Sequence, residues 1–118
     1  MSMIETTVQD YLISRELAGI GDNVFLEVPE DPPQEYILIE KTGSGKENRI
    51  DRAMIAVQSV SRSRLINAIK TNDRVKEAMD EFADRSDAIY SCSLNGDYNW
   101  TNTQTKEYRY QAVFNLYY

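Results

Sequence analysis

Four groupings of residues in this chain have the types and spacing to do chemistry. Gly43-Ser44-Gly45-Lys46 carries the glycines and lysine of a phosphate-binding loop. Such a loop also needs a glycine five positions before Gly45, and a serine or threonine after the lysine to hold magnesium. Those positions hold Glu40 and Glu47. The alternation that follows predicts a strand, not a helix whose N-terminus would receive phosphate. Asn95, Asp97 and Asn99 alternate like the start of a calcium loop, but Lys106 stands at the twelfth position, where a bidentate acid is required. Glu27, Glu30, Asp31 and Glu35 could supply a pair of acid–base carboxylates. They surround Pro29, Pro32 and Pro33 in a loop expected to be solvated, so this reading is not favoured. Asn99-Trp100-Thr101 is formally a glycosylation acceptor, without any other sign of secretion.

The chain has no histidine, so it lacks the commonest general base and the commonest metal ligand, and a zinc site is not expected. Cys92 is the single cysteine. It can form no internal disulfide and has no histidine to activate it, so a packed thiol is expected rather than a nucleophile. No catalytic residue, metal or cofactor is therefore assigned, and the protein is expected not to be an enzyme. Tyr98 and Trp100 sit in a polar stretch. They either fold back onto a sheet edge or anchor a partner, a role for which these residues are enriched.

Any surface chemistry needs a scaffold, and 118 residues allow one domain, 1–118, with one hydrophobic core. No apolar run approaches the roughly 20 residues of a membrane span. Met1-Ser2-Met3-Ile4-Glu5 lacks the basic and apolar regions of a signal peptide, so synthesis in the cytosol is the expectation. The net charge of −6 argues against non-specific nucleic-acid binding. That charge is unevenly placed: residues 1–40 carry −8, 41–76 carry +6, 77–97 carry −5 and 98–118 carry +1. Either these are solvated faces paired within the chain, or the positive side of one subunit meets the negative side of another, since complementary patches orient encounter.

The elements follow from periodicity. Residues 3–18 read as an amphipathic helix through Ile4, Val8, Tyr11 and Leu12, stopped by Gly19 and Gly21. Asn23–Val28 reads as a short strand, followed by the proline loop. Glu35–Thr42 returns as a strand, then Thr42–Arg49 forms a polar glycine-containing tip, and Ile50–Ser61 follows as a long strand. Ser61 or Ser63 can cap the next helix, whose apolar stripe is Leu65, Ile66, Ile69, Val75, Ala78, Met79, Phe82 and Ala83. Thr71-Asn72-Asp73 predicts a bend in it, or two consecutive helices. Asp87–Leu94 and Thr105–Tyr118 close the chain as a hairpin around a polar loop. In the last strand Tyr108, Tyr110, Ala112, Phe114, Leu116 and Tyr118 share one face. The expected fold is α+β in the order α-β-β-β-α-β-β: a mostly antiparallel sheet of about five strands with helices packed on one face.

The last third carries a further pattern. Val75-Lys-Glu-Ala-Met-Asp-Glu-Phe82 and Ser93-Leu-Asn-Gly-Asp-Tyr-Asn-Trp-Thr-Asn-Thr-Gln-Thr-Lys-Glu-Tyr-Arg-Tyr-Gln-Ala-Val-Phe114 resemble the tail-terminator, or tail-completion, proteins of long-tailed bacteriophages and prophages. The element order is similar over nearly the whole chain. The resemblance implies a structural, non-enzymatic tail protein. It further implies that six copies form a ring that caps the tail tube, ends its polymerisation and joins it to the head connector. The implied partners are further copies of the chain, the tail tube protein and the head–tail connector protein. No membrane and no sequence-specific nucleic acid are implied, although DNA passes through such a ring. The implied location is the host bacterial cytoplasm during assembly, then the tail or neck of the virion. The residues expected to make contacts are Thr42, Gly43, Ser44, Gly45, Lys46, Asn48 and Arg49 at one tip, and Asp97, Tyr98, Asn99 and Trp100 at the other, within 97–104. A head–tail connector or minor capsid protein is the alternative within the same class. A small-ligand-binding or regulatory α+β domain is the alternative from another.

Overall fold

The computed structural model describes residues 3–101, 104, 105 and 107–118. A helix α1 (Ile4–Ser14) leads to β1 (Val24–Phe25), β2 (Glu35–Glu47) and β3 (Ile50–Ser61). Helix α2 (Leu65–Asp80), a short helix α3 (Phe82–Arg85), β4 (Ser91–Asn99) and β5 (Tyr108–Tyr117) follow. The sheet order is β1-β2-β3-β5-β4. β1 pairs parallel with β2, and every other pairing is antiparallel. The α+β class and the element order are as the periodicity predicts.

Strand alternation sorts the sheet into two faces. Ile37 and Ile39 of β2, Ala53, Ile55 and Val57 of β3, and Ala112, Phe114 and Leu116 of β5 lie in one core with Val8, Leu12, Val75, Met79 and Phe82 from the helices. Tyr11 ties α1 to both α2 and α3. Its ring stacks on Phe82 with centroids 4.2 Å apart, and its hydroxyl donates to the carbonyl of Ala78. Burial pushes the Tyr11 hydroxyl pKa up, so it remains a neutral donor.

Several boundaries differ from the sequence expectation, each for a local reason. Helix α1 ends at Ser14 rather than near residue 18, because Glu16 turns left-handed at φ 51°. Gly19 and Gly21 take positive φ in the turns that follow, rather than at the helix stop itself. The first strand shrinks to Val24–Phe25, leaving Leu26 and Val28 exposed. Neither serine caps α2 as expected: Ser61 Oγ accepts from the backbone N–H groups of Ser63 and Arg64, ahead of the helix. Helix α2 passes unbroken through Thr71-Asn72-Asp73. Thr71 and Asn72 are buried, and the Asn72 amide is engaged by a side chain of β4 instead of competing for its own backbone. Its buried face is Ala68, Thr71, Asn72, Val75, Ala78 and Met79, so Leu65 and Ile66 of the expected stripe lie largely exposed.

The two expected loops are mostly strand. β2 and β3 stay paired from Glu35↔Ser61 to Glu47↔Ile50, with a shift in register between Lys41 and Gly43 that leaves Thr42 as the extra residue. Asn48 and Arg49 alone make the turn. Thirteen residues at about 3.3 Å each make β2 roughly 40 Å long, which accounts for the 44 × 25 × 25 Å shape. β4 likewise starts at Ser91 rather than Asp87 and runs on to Asn99, with Asn95 the extra residue between Leu94 and Gly96. β5 begins at Tyr108 rather than Thr105. Residues 102 and 103 of the expected second tip, and Lys106, lie outside the described residues.

Candidate interaction surfaces

The two predicted contact tips stand at opposite ends of the sheet. Asp51 and Tyr118 exchange backbone hydrogen bonds at 3.1 and 2.9 Å, so the β5 terminus reaches the base of the β2–β3 turn. Trp100 N–H donates to the Arg109 carbonyl at 2.7 Å, beside the far end of β3. The structure therefore does not bring residues 42–49 together with 97–100.

At the first tip, Thr42, Ser44, Gly45 and Lys46 belong to β2 and are exposed, while Gly43 is half-buried. Asn48 and Arg49 hold φ of 51° and 66°, the two successive left-handed residues of a tight hairpin turn. Asparagine tolerates this conformation, but arginine is strained by it, and glycine is the usual occupant. Here the strained residue is an exposed arginine that carries its charge to the extreme end of the molecule. Lys46 lies 4.0 Å from Asp51, a loose and exposed pair. Below the turn, Glu5, Lys41, Ser44, Gly45, Lys46 and Asp51 line an open groove beside α1.

At the second tip, residues alternate between the faces. Asp97 points to the helices, where its carboxylate accepts from Asn72 Nδ2 at 2.9 Å and Lys76 Nζ at 2.8 Å. Lys76 lowers the Asp97 pKa through this hydrogen bond, and Asp97 raises that of Lys76. The calcium-like spacing thus carries an intrachain clamp between α2 and β4. Tyr98 and Trp100 are 49% and 52% exposed, with ring centroids 6.3 Å apart and planes tilted by 48°. Neither ring is folded away. Asn99 turns its side chain to the backbone N–H of Thr101 at 2.9 Å.

Behind Tyr98 lies a polar ladder that sequence reasoning missed. Arg109 donates to Gln58 Oε1, Gln58 Nε2 donates to Gln111 Oε1, and Gln111 Nε2 donates to the Tyr98 hydroxyl. Gln58 and Gln111 are 2% and 5% exposed on the face without helices. The register places them directly opposite each other on β3 and β5. A pair of glutamines at non-core strand positions was the available signal.

Both outer edges of the sheet offer unpaired strand. β4 has β5 on one side and, among the described residues, no strand on the other. β1 covers β2 only at Ile37 and Leu38, leaving β2 from Ile39 to Glu47 without an outer strand among the described residues. β4 runs in the direction of β3, and β2 runs opposite to both.

Glu35 is half-buried, its Oε1 accepting from Asn67 Nδ2 at 2.7 Å, while Glu27, Glu30 and Asp31 are exposed. Cys92 packs against the core. Burial, with the Asp80 charge adding to it, pushes its thiol up to about 12. Among the described residues no group of His, Cys, Asp and Glu is placed to hold a metal ion, and no helix is long and apolar enough to cross a membrane.

No family model matches the chain, and no curated protein matches it. A solved structure does. One chain of the virion of a native gene transfer agent particle superposes with a TM-score of 0.67 at 14% sequence identity, covering 98% of each chain. The two share a fold over essentially their whole lengths.

Proposed function

We propose that this chain is a structural, non-enzymatic component of a phage-type virion: a tail terminator that closes into a ring on the end of the tail tube. The carrying observation is the fold shared end to end with a chain of a gene transfer agent virion. The resemblance of the 75–82 and 93–114 segments to tail-completion proteins narrows the role from virion component to terminator. The open edges fit a ring. When copies are related by rotation with strands in one sense, β4 of each copy and β2 of the next run antiparallel, the arrangement a sheet continues in most readily. Such contacts are head-to-tail and close by rotation. The ring meets the tube protein on one side and the head connector on the other, with the 42–49 and 97–100 tips at its two ends. The chain acts in the host bacterial cytoplasm during assembly and stays in the tail or neck.

Light scattering over a wide concentration range, with and without purified tail tubes, tests this. A closed ring of six, alone or on tubes, together with arrest of tube growth, supports the terminator. Rings located on the portal side of particles assign the chain to a connector instead. A monomer that ignores tubes refutes the reading.

A further inference from the structure

We infer that Gly43-Ser44-Gly45 of one copy pairs as an antiparallel strand with Ser91-Cys92-Ser93 of the next, a contact that rests on the ring reading. Ser44 stands opposite Cys92, and Lys41 opposite Leu94. The hydrogen-bond phase of the sheet carries this. Asp51 and Tyr118 exchange both backbone bonds, so bonded and non-bonded pairs alternate along β3 and β5 from there. Arg62 N–H to Gln34 O and Trp100 N–H to Arg109 O set the alternation for β2 with β3 and for β4 with β5. By the registers, the backbone groups of Lys41 and Ser44 then face out of the β2 edge, and those of Cys92 and Leu94 face out of the β4 edge. Lys41, Ile55, Phe114 and Leu94 form one row across β2, β3, β5 and β4, and Ser44, Ala53, Leu116 and Cys92 form another. Rotation about an axis along the strands keeps every row level. It sets outward-facing Lys41 and Ser44 against outward-facing Leu94 and Cys92, on the same face of the sheet. An even number of antiparallel strands per copy brings the alternation back in phase at each boundary.

The side chains fit the same pairing. Glycine inside a strand marks a place where another backbone comes close. Gly43-Ser44-Gly45 and Ser91-Cys92-Ser93 are small throughout, so neither edge holds the other off. Lys41 is a charge on an open edge, a device that deters indiscriminate pairing. Its row ends at Leu94, which is 47% exposed and lines a groove with Glu77, Asp80, Cys92 and Phe114. Glu77 and Asp80 are exposed and in no ion pair among the described residues. Within its own chain Lys41 is held loosely, 4.0 Å from Glu5. Across the boundary its stem covers Leu94 and its ammonium meets the two acids, so the edge that repels other strands accepts this one. Two-fold pairing of β4 with β4 would instead bring Glu77 and Asp80 toward their own copies.

The test uses the full chain in a Cys92→Ala background, checked for folding by circular dichroism. Gly43 and Ser93 end the row that runs through Met54 and Asn115, and their backbone groups turn inward. The contact makes them a non-hydrogen-bonded pair with Cα atoms about 4.5 Å apart, within disulfide reach. A Cβ at Gly43 meets Met54 Cβ at 4.0 Å, an ordinary contact. Gly43→Cys and Ser93→Cys variants are mixed, with tail tubes if assembly needs them, and oxidised with copper phenanthroline. A disulfide dimer in the mixture that neither variant gives alone is expected. Ser91→Cys, two residues off register, should link poorly to Gly43→Cys. In the otherwise unvaried chain, Lys41→Glu should raise the half-assembly concentration about tenfold, or about 1.4 kcal/mol, and adding Asp80→Lys should recover most of it. Background protein that forms rings while the Gly43→Cys and Ser93→Cys mixture gives no dimer overturns the contact and leaves the ring reading standing. Preferential linking through Ser91→Cys overturns the register, and self-linking of Ser93→Cys shows β4–β4 pairing and overturns the contact. Normal assembly of Lys41→Glu overturns the place given to the lysine. Unvaried protein that never assembles, even on tubes, removes both the contact and the ring.

Discussion

Replacing Asp97 by alanine tests whether the clamp between α2 and β4 holds the sheet edge to the helix. The Asp97 carboxylate accepts from Asn72 Nδ2 and Lys76 Nζ. Asn72 is 2% exposed, and its Oδ1 has no partner among the described residues. Removing the carboxylate leaves the buried amide nitrogen unpaired as well, at a cost of about 1–3 kcal/mol. The Lys76 pair adds under about 1 kcal/mol, because both side chains remain partly solvated, at 31% and 28%. The expected loss is about 2 kcal/mol. With an unfolding entropy of about 2.1 cal/mol/K per residue, 118 residues give roughly 4 °C per kcal/mol, so Tm should fall by about 8 °C. Asp97→Asn keeps an acceptor for Asn72 and should cost about half as much. Pairing Asp97→Ala with Asn72→Leu should recover about 1 kcal/mol, because no orphaned amide remains. Urea unfolding followed by far-ultraviolet circular dichroism measures all three. Equal stabilities for Asp97→Ala and Asp97→Asn, or strict additivity with Asn72→Leu, would refute the reasoning, since both outcomes mean the buried amide was never the costly group.

Arg49→Gly should stabilise the isolated protein by about 0.5–1 kcal/mol, by relieving a left-handed arginine in a turn that glycine favours; urea midpoints check this, and a loss of assembly in the same variant would show that the strain is kept for contact. Phe82→Ala empties a fully buried site stacked on Tyr11 and should cost about 3–5 kcal/mol, read as a fall in Tm of more than 10 °C. The Asp97–Lys76 clamp gives a defined pH window. The Asp97 pKa is lowered by folding, so its contribution is present above the unfolded value near 3.9 and is lost as pH falls through the folded value. The Lys76 pKa is raised, so its contribution is present below about 10.4 and is lost as pH rises through the folded value. The stability difference between wild type and Asp97→Asn should therefore be flat between about pH 5 and 9 and shrink outside it.

Much of the scaffold was legible because burial follows period. Ile55 and Val57 in β3, and Phe114 and Leu116 in β5, share a face by alternation and lie in the core. What escaped reading depends on partners distant in sequence. Thr71-Asn72-Asp73 has the composition of a helix break, yet Asp97, 25 residues away, satisfies Asn72 inside the helix. Glycine and polar content made 42–49 read as loop, whereas pairing of Gly43–Glu47 with Ile50–Met54 keeps most of it strand. Local propensity yields when a neighbouring strand supplies the hydrogen bonds. At the second tip the types Asp, Tyr, Asn and Trp were visible, but their division between faces was not. The extra residue at Asn95 resets the alternation, turning Asp97 toward the helices and Tyr98 away from them.

The uneven charge acquires a physical meaning on α2. A helix gains from acids near its N-terminus and bases near its C-terminus, at about 0.3–1 kcal/mol each. Helix α2 has no acid in its first turn and no base in its last. Arg62 and Arg64 precede it, Lys70 and Arg74 lie in its body, and Asp80 and Glu81 sit at its end. Only part of this is compensated within the chain: Arg15 and Arg85 pair with Glu81, lowering its pKa, and Lys76 pairs with Asp97. Arg64, Lys70, Glu77, Asp80, Asp84 and Asp87 are exposed and in no ion pair among the described residues. A distribution that opposes the helix dipole does not serve the stability of the isolated fold. It separates the signs along the helix, as a subunit requires if copies or neighbouring tail components are to be oriented by complementary fields. Assembly that weakens as salt rises, while the unfolding free energy of the isolated chain changes little, is the signature that separates this role from intrachain pairing.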